Sequence, residues 1–244
     1  MDTQHKSTLQ ANFLKKGYAL WDDFLASDQC EQHLEAIRQF KDQHSLQQIH
    51  RPMRGRSLHY AVIDGEMVEQ HLPMVHQLYQ EMNRFLNEIS PQTLFPLDEK
   101  KAGANVNITP PGGQYRWHYD RNEVTALVYL NKVQGGEIEF YPHYRFFLKN
   151  RTLTRLQRWL DAFLRLSIIR NLFGRKIAIT PMPGRLVLLQ GNRCLHSVRP
   201  MEGEGERINL VLSYDIFERS PENKALNTYL YTQQDVTSSD PNYT

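Results

Sequence analysis

A histidine and an aspartate stand two residues apart, at His118 and Asp120, in the segment RWHYDRNEVTALVYLN. Side chains two apart in a β-strand project to the same face, so this pair would converge on one point. A neutral imidazole and a carboxylate are both ligands that divalent transition metals accept. The structural alternative is a histidine–aspartate hydrogen bond at the end of a strand, and this pair alone does not decide between the two.

A metal would need a third ligand from the same region of the chain. Besides His118, only His143 and His196 lie in the β-rich second half, and His196 comes soon after the apolar run GRLVLLQ. From the residues alone, both of these histidines stay candidates for the third ligand.

Arg207 opens the apolar run RINLVLSYD, which is an unusual place for a charge. If Leu210 and Leu212 face one layer, alternation puts Arg207 and Asn209 on the opposite face. A buried guanidinium needs an anionic partner, and its fork geometry suits a carboxylate. The alternative is an ion pair at a barrel rim with one of three nearby acids, which are Glu204, Glu206 and Asp215.

Helical spacing dominates the first hundred residues, and short β runs dominate the remainder of the chain. The pattern predicts a helix through Cys30 and Phe40, capped by Ser27 or Asp28, and a second helix from Glu66 to Glu88 that Pro73 bends or begins. HRPMRGRSLHYAVIDG is interpreted as a loop leading into a short strand. About eight antiparallel strands then follow, which predicts an α+β fold whose sheet closes as a sandwich or barrel.

These patterns fit one domain over 1–231, with a helical region over 1–100, a β core over 101–218 and a polar tail over 232–244. The 244 residues carry 29 Lys and Arg against 27 Asp and Glu, a formal charge of +2 that indicates no particular partner. Cys30 and Cys194 have no paired spacing, so neither a disulfide framework nor a zinc cluster is predicted. No apolar signal core or membrane span is found, and a cytoplasmic location is expected.

An insertion over 144–176 is longer and more basic than a β core needs. At helical spacing four arginines share one face and five apolar residues lie roughly opposite. The first set is Arg151, Arg155, Arg158 and Arg165, and the second is Leu153, Leu156, Leu160, Phe163 and Leu164. Either the helix packs its apolar face on the barrel and exposes the basic one, or the segment is a lid, an anion-binding surface or a membrane-surface contact.

Taken in order, the motifs resemble the iron(II)/2-oxoglutarate-dependent oxygenases, and within them the prolyl 4-hydroxylase-like branch. The resemblance rests on LKKGYALWDDFLASDQCEQHLEAI, on HYD followed by VYLNKVQGGEIEFYP, and on PGRLVLLQGNRCLHSVRPMEGEGERINLVLSYD. It covers most of the chain. It implies a double-stranded β-helix core, of the jelly-roll or cupin-like kind, with N-terminal helices packed on one sheet and a helical insertion.

Carried over residue by residue, the resemblance implies that His118, Asp120 and His196 bind Fe(II) as a 2-His-1-carboxylate triad. Arg207 would bind the distal carboxylate of the cosubstrate 2-oxoglutarate. Tyr129 matches a tyrosine that hydrogen-bonds the same carboxylate, although a core tyrosine would show the same alternation. Two residues on the same strand faces, Thr125 and Asn209, are further candidates for cosubstrate binding, and ascorbate is expected to stimulate turnover.

The resemblance implies an oxygenase that couples decarboxylation of 2-oxoglutarate, to succinate and CO₂, to oxidation of an unactivated C–H bond. Asp120 favours hydroxylation, or a variant such as demethylation or desaturation, because relatives that transfer chloride lack this carboxylate. One departure is Thr109, nine residues before His118, where many relatives have a tyrosine. That departure leaves the detailed cosubstrate contacts open.

Three classes of substrate fit the sequence. A small-molecule, lipid or carrier-bound metabolite, with an anionic group to meet the basic insertion, is favoured over a prolyl-type site in a protein or peptide. Dealkylation of nucleic acid is disfavoured, because that branch usually has a second arginine where this chain has Ser213. A barrel that has lost its metal is disfavoured by the presence of all three ligands and Arg207, and it would show no Fe(II)-dependent turnover.

Overall fold

A computed structural model describes residues 3–52, 55–148, 154–218 and 224–234. The helices within these ranges are α1 (Thr3–Lys16), α2 (Ser27–Gln43), α3 (Gly65–His71), α4 (Pro73–Ile89), α5 (Lys100–Gly103), α6 (Arg155–Leu164), α7 (Ser167–Phe173) and α8 (Lys224–Tyr231). The strands are β1 (Tyr18–Trp21), β2 (Gln47–Arg51), β3 (Leu58–Ile63), β4 (Phe95–Pro96), β5 (Ala104–Thr109), β6 (Tyr115–His118), β7 (Val124–Tyr129), β8 (Ile138–Tyr141), β9 (Ile177–Ile179), β10 (Leu186–Gln190), β11 (Leu195–Val198) and β12 (Arg207–Asp215).

The strands form two antiparallel sheets that face each other as a double-stranded β-helix. The major sheet has the order β1-β10-β7-β12-β5-β3-β2, with β4 beside β12, and the minor sheet has the order β6-β11-β8-β9. The eight strands predicted after residue 100 are all present. The hairpin of β2 and β3 extends the major sheet beyond them, because β3 pairs with β5 over Ala61–Ile63. Only the second strand of that hairpin was predicted.

The N-terminal helices cover the outer face of the major sheet. Ile37 of α2 and Met82 of α4 are buried in one core with Leu188 and Leu210, which are outward-facing residues of the sheet. Burial every three or four residues along α4 agrees with the predicted periodicity. These helices therefore hold the back of the sheet that carries the site.

The predicted alternative in which Pro73 begins a helix is confirmed, whereas a single helix over 66–88 and the predicted caps of α2 were wrong. The segment 66–88 is two helices, because Asp64 caps α3 by accepting hydrogen bonds from the backbone N–H of Glu66 and Met67, and Pro73 then begins α4. Proline suits a first helical turn, where no backbone N–H is needed. The N-cap of α2 is Ala26, ahead of both predicted capping residues, and its backbone N–H donates a hydrogen bond to the side-chain oxygen of Gln29.

On α6 the side chains of Arg155 and Arg158 are exposed as predicted, but part of the predicted apolar side, including Leu156 and Phe163, is exposed as well. Gln157 and Asp161 face the protein with 0% and 1% of their surface exposed, whereas Leu156 and Trp159 are more than 60% exposed. The interpretation in which the apolar face packs on the barrel is therefore wrong. The reason is Arg145, a buried cation that draws the polar face of α6 inward. Arg151 and Leu153 lie outside the described residues.

The C-terminal helix closes one side of the molecule. Leu226 and Tyr229 of α8 pack on Ile49 and Tyr60 of the β2–β3 hairpin. The predicted polar tail, 232–244, lies outside the described residues from 235 onward. Within the described ranges of the chain, no helix has both the length and the apolar character that crossing a bilayer requires.

Candidate active site

The three predicted metal ligands meet between the two sheets. His118 ends β6, and His196 lies opposite it on β11 as its register partner. The Nε2 atoms of His118 and His196 lie 3.3 and 3.4 Å from Oδ1 of Asp120. One donor atom from each of the three side chains lies within 4.8 Å of the other two donor atoms, a spacing that suits ligands of a single ion. The fold thus brings together residues that are 78 positions apart in the chain.

Backbone carbonyls fix the tautomer of both imidazoles. Nδ1 of His118 lies 2.9 Å from the carbonyl oxygen of Arg116, and Nδ1 of His196 lies 2.9 Å from that of Cys194. A carbonyl oxygen can only accept, so in the neutral form of each ring Nδ1 carries the proton and Nε2 has the lone pair that can bind a metal. Histidine ligands of metals are typically oriented by such a second hydrogen bond.

Asp120 is held by a second layer of contacts. The Thr125 hydroxyl donates to Oδ2 at 2.6 Å, and Nδ2 of Asn122 donates to that hydroxyl oxygen at 2.9 Å. Gly191 lies directly against the carboxylate, since a Cβ built there would come within 2.6 Å of Oδ2. These contacts leave Oδ1 directed at the two imidazoles, as a metal ligand requires.

Burial and mutual charge set the protonation of the three groups. Burial lowers the pKa of His118, and the nearby His196 lowers it further. Burial alone would raise the pKa of Asp120, but His196 and then His118 hold that pKa well below its usual value. Burial alone would lower the pKa of His196, but Asp120 outweighs it and raises the pKa. The carboxylate is therefore ionised and ready to bind a cation.

Arg207 faces the same cavity and is not paired with any of the three acids that the sequence suggested. Its Nη1 donates to the carbonyl oxygen of Gly136 at 2.8 Å, and its Nη2 donates to the hydroxyl of Thr109 at 3.2 Å. Within the described chain its Nε is buried without a partner. Only 4% of Arg207 is exposed, so a full charge is buried with no carboxylate of the described residues in contact. A carboxylate ligand would supply what is missing.

The other predicted cosubstrate residues line the same cavity as this guanidinium. Tyr129 is buried, with its ring centroid 5.9 Å from Cζ of Arg207. Oδ1 of Asn209 is buried without a hydrogen-bond partner among the described residues. Thr125 also lines the cavity, but its hydroxyl contacts Asp120 and Asn122. Thr125 thus stands behind a metal ligand, and a direct contact with the cosubstrate stays a prediction.

The cavity itself has a volume of about 220 Å³ and runs from Arg207 past the triad. Beyond the triad it is lined by side chains from α5, α8 and the centre of the major sheet. Examples are Glu99, Asn105, Asn227 and Tyr231. The supporting roles of Asn122 and Gly191 were missed in the sequence, where neither has a recognisable motif. Thr109 was noted only as a departure, yet it holds Arg207.

Among the comparisons with known proteins, one protein-family profile matches the central region of the chain. A profile described as the 2OG-Fe(II) oxygenase superfamily matches residues 104–214, which include all three ligands and Arg207. A sequence search of curated proteins gives no match. Fe(II) and 2-oxoglutarate are the metal and cosubstrate of this superfamily, and the His-Asp-His group provides a candidate site for the iron.

Solved structures with the same fold come from enzymes that are named for different reactions. The α-ketoglutarate-dependent epimerase SnoN from nogalamycin biosynthesis is similar with a TM-score of 0.68 and 13% identity, over 88% of this chain and 84% of its own. A prolyl-4-hydroxylase from Pseudomonas putida has a TM-score of 0.53 and 19% identity, over 88% and 100%. A prolyl hydroxylase from Trichoplax adhaerens, in complex with a peptide fragment, has a TM-score of 0.60 and 17% identity, over 87% and 89%. At these identities the likeness shows the fold alone.

Proposed function

The chain belongs, through residues 104–214, to the 2OG-Fe(II) oxygenase superfamily, and from this premise we propose that it hydroxylates an unactivated C–H bond. The substrate that we propose is a small-molecule, lipid or carrier-bound metabolite, and the coproducts are succinate and CO₂. The observation that carries this proposal is the buried Arg207, without a carboxylate partner in the described chain, on the cavity that holds the triad.

The described residues fit both the metal and the cosubstrate. His118, Asp120 and His196 offer two imidazole nitrogens and one carboxylate oxygen, a donor set that suits Fe(II) and leaves coordination positions open. Arg207 offers its buried guanidinium to the distal carboxylate of 2-oxoglutarate, and Tyr129 lies beside it. With these groups bound, the iron and cosubstrate supply the oxidising chemistry, as they do throughout the superfamily.

The protein's own contribution is position and exclusion of water. Each imidazole is held by a backbone carbonyl, and Asp120 is held by Thr125 and Gly191. The region of the cavity beyond the triad, lined in part by Glu99 and Tyr231, is the space left for a substrate. The whole cavity has a volume of about 220 Å³, and it must hold the iron, the cosubstrate and the reacting group of the substrate.

The first experiment is an anaerobic titration of the metal-free protein with Fe(II) and then 2-oxoglutarate, following the weak visible metal-to-ligand charge-transfer band. We expect a band in the wild type, none in His118→Ala, and a much higher requirement for 2-oxoglutarate in Arg207→Ala. His143→Asn and Arg193→Ala are matched controls, because both side chains are exposed and lie in the same half of the chain. Asparagine suits position 143, where φ is 51°.

A band that depends on His118 and Arg207 would justify screening substrates by succinate release. Identical absorbance in the wild type and His118→Ala would refute the proposal and leave a barrel with a buried histidine–aspartate pair. A prolyl-type reaction is the second candidate, supported by the resemblance in the motifs. Succinate release with proline-containing peptides, but not with small anionic metabolites, would favour it.

A further inference from the structure

The exposed large apolar side chains of the described chain are concentrated around the insertion. Nine of the thirteen lie between Phe146 and Phe173. Seven of these, with 39–78% of their surface exposed, lie on α6, on α7 and in the turn between them. We call these seven side chains the apolar face, and they are Leu156, Trp159, Phe163, Leu166, Ile168, Leu172 and Phe173. Exposed large apolar side chains gathered in one part of a monomer commonly mark a surface that binds another molecule.

The fold holds α6 in the orientation that exposes this face. On the opposite side of the helix, Asp161 accepts a hydrogen bond from Nε of Arg145 at 3.0 Å and another from Gln157 at 2.9 Å. Gln157 also donates to the carbonyl oxygen of Phe146 at 3.0 Å. Rotating α6 to bury its apolar side would leave the Arg145 charge buried and unpaired, which is unfavourable. The exposed side therefore needs a partner from outside the described chain.

The charges beside the apolar face are of one sign. Six basic residues lie between 154 and 176, and two of them, Arg155 and Arg158, are exposed next to Leu156 and Trp159 on α6. The one acidic residue in that range is Asp161, whose carboxylate is buried against Arg145. An occupant of this face thus meets apolar and cationic groups together.

A basic groove lies between α7 and the outer face of the minor sheet. Five basic side chains line it, and they are Arg56, Arg116, Arg165, Arg170 and Lys176. Its single carboxylate, Glu139, is bound by Arg56 at 2.5 Å and by Lys176 at 2.9 Å. The groove is consequently suited to an anionic group, such as a phosphate, at the border of the apolar face.

We propose that this side of the protein docks on an anionic lipid surface. The apolar face would enter the interface of the bilayer, and the basic groove would meet the headgroup phosphates. Trp159 and Phe163, stacked with ring centroids 5.7 Å apart, are of the side-chain type that favours this interface. A second copy of the chain suits the face less well, because a twofold contact would bring two sets of like charges together.

The test is cosedimentation of the full chain with vesicles of phosphatidylcholine, with and without phosphatidylglycerol. We expect binding only to the anionic vesicles, and its reversal by salt. Ile168→Ser with Leu172→Ser should weaken binding more than about tenfold. Arg155→Gln with Arg158→Gln should weaken it about 25-fold, at about fivefold per charge. The control is Leu14→Ser with Met74→Ser, which removes exposed apolar side chains outside the apolar face and should bind as the wild type does.

Three outcomes would overturn the proposal. The first is no binding to either kind of vesicle by a wild-type protein that still gives the Fe(II) and 2-oxoglutarate band. The second is equal binding to neutral and anionic vesicles. The third is a dimer in analytical ultracentrifugation that the serine pair on α7 converts to monomer, which would assign the face to a second copy. Vesicle binding needs neither iron nor cosubstrate, so its failure is distinct from failure of the proposed reaction.

Discussion

Replacing Gly191 with alanine should damage the metal site while leaving the fold intact. A Cβ at this position would lie 2.6 Å from Oδ2 of Asp120 and 2.8 Å from the hydroxyl oxygen of Thr125. Ordinary van der Waals contact begins at 3.4 Å, so the carboxylate or the glycine backbone must move by 0.8 Å, the difference between the two distances. Gly191 has no positive φ, so the effect is one of space and not of backbone strain.

The size of the effect depends on how little displacement a metal ligand tolerates. Metal–ligand distances hold to within about 0.2 Å, so a shift of this size either detaches Asp120 or breaks its hydrogen bond from Thr125. Loss of such a supporting contact typically weakens metal binding about 10- to 100-fold, or about 1.4 to 2.7 kcal/mol. We therefore expect the Kd for Fe(II) to rise by that factor in Gly191→Ala.

The assay is equilibrium binding of Fe(II) under anaerobic conditions, with thermal unfolding of the metal-free protein measured alongside. Gly205→Ala is the matched control, because it adds the same methyl group at a site whose nearest neighbour is 4.0 Å away. An unchanged Kd in Gly191→Ala, with both variants folded, would refute the role assigned to Gly191. A Kd that rises equally in both variants would show an effect of alanine that is unrelated to Asp120.

Three further predictions concern buried charges. Arg207→Lys should raise the Kd for 2-oxoglutarate about 10- to 100-fold in the charge-transfer titration. The reason is that lysine cannot make one of the charge-assisted hydrogen bonds of arginine, worth about 1.5–3 kcal/mol. The Kd for Fe(II) should not change. Asp161→Asn should lower the free energy of unfolding by about 3–5 kcal/mol in urea titrations, because it leaves Arg145 buried without its anion. The control is Glu35→Gln at an exposed position, which should lower the free energy of unfolding far less. Glu139→Gln should reduce stability at neutral pH and flatten its loss in acid. The pKa of Glu139 is below its ordinary 4.5, because Lys176 and Arg56 outweigh the effect of burial. Its stabilisation is therefore present above that value and lost as pH falls through the lowered pKa.

Each of these predictions has an outcome that would contradict it. Equal affinity of the wild type and Arg207→Lys for 2-oxoglutarate would mean that the guanidinium does not bind the cosubstrate. Unchanged urea unfolding of Asp161→Asn would mean that Arg145 finds another partner or water. An identical acid transition in the wild type and Glu139→Gln would remove Glu139 from the account of stability below neutral pH.

The sequence by itself predicted the periodic elements and the candidate site residues. Alternation along β7 and β12 is a local property of a strand, so it correctly put Tyr129 and Arg207 on the cavity side and Leu210 on the core side. The order of His118, Asp120, His196 and Arg207 was recognised through the resemblance to an oxygenase family, in which the chemistry of the site restricts residue type. Alternation and helical spacing, by contrast, depend on neighbours a few positions away.

Only the tertiary structure decided which face of α6 is buried and which groups stand behind the ligands. The helical pattern of α6 was predicted, but its orientation depends on Arg145, a charge on a preceding loop that takes Asp161 into the interior. Gly191 matters because the fold brings it against Asp120, 71 residues earlier in the chain. Periodicity fixes which side chains share a face, whereas the cost of an unpaired buried charge fixes where that face must point.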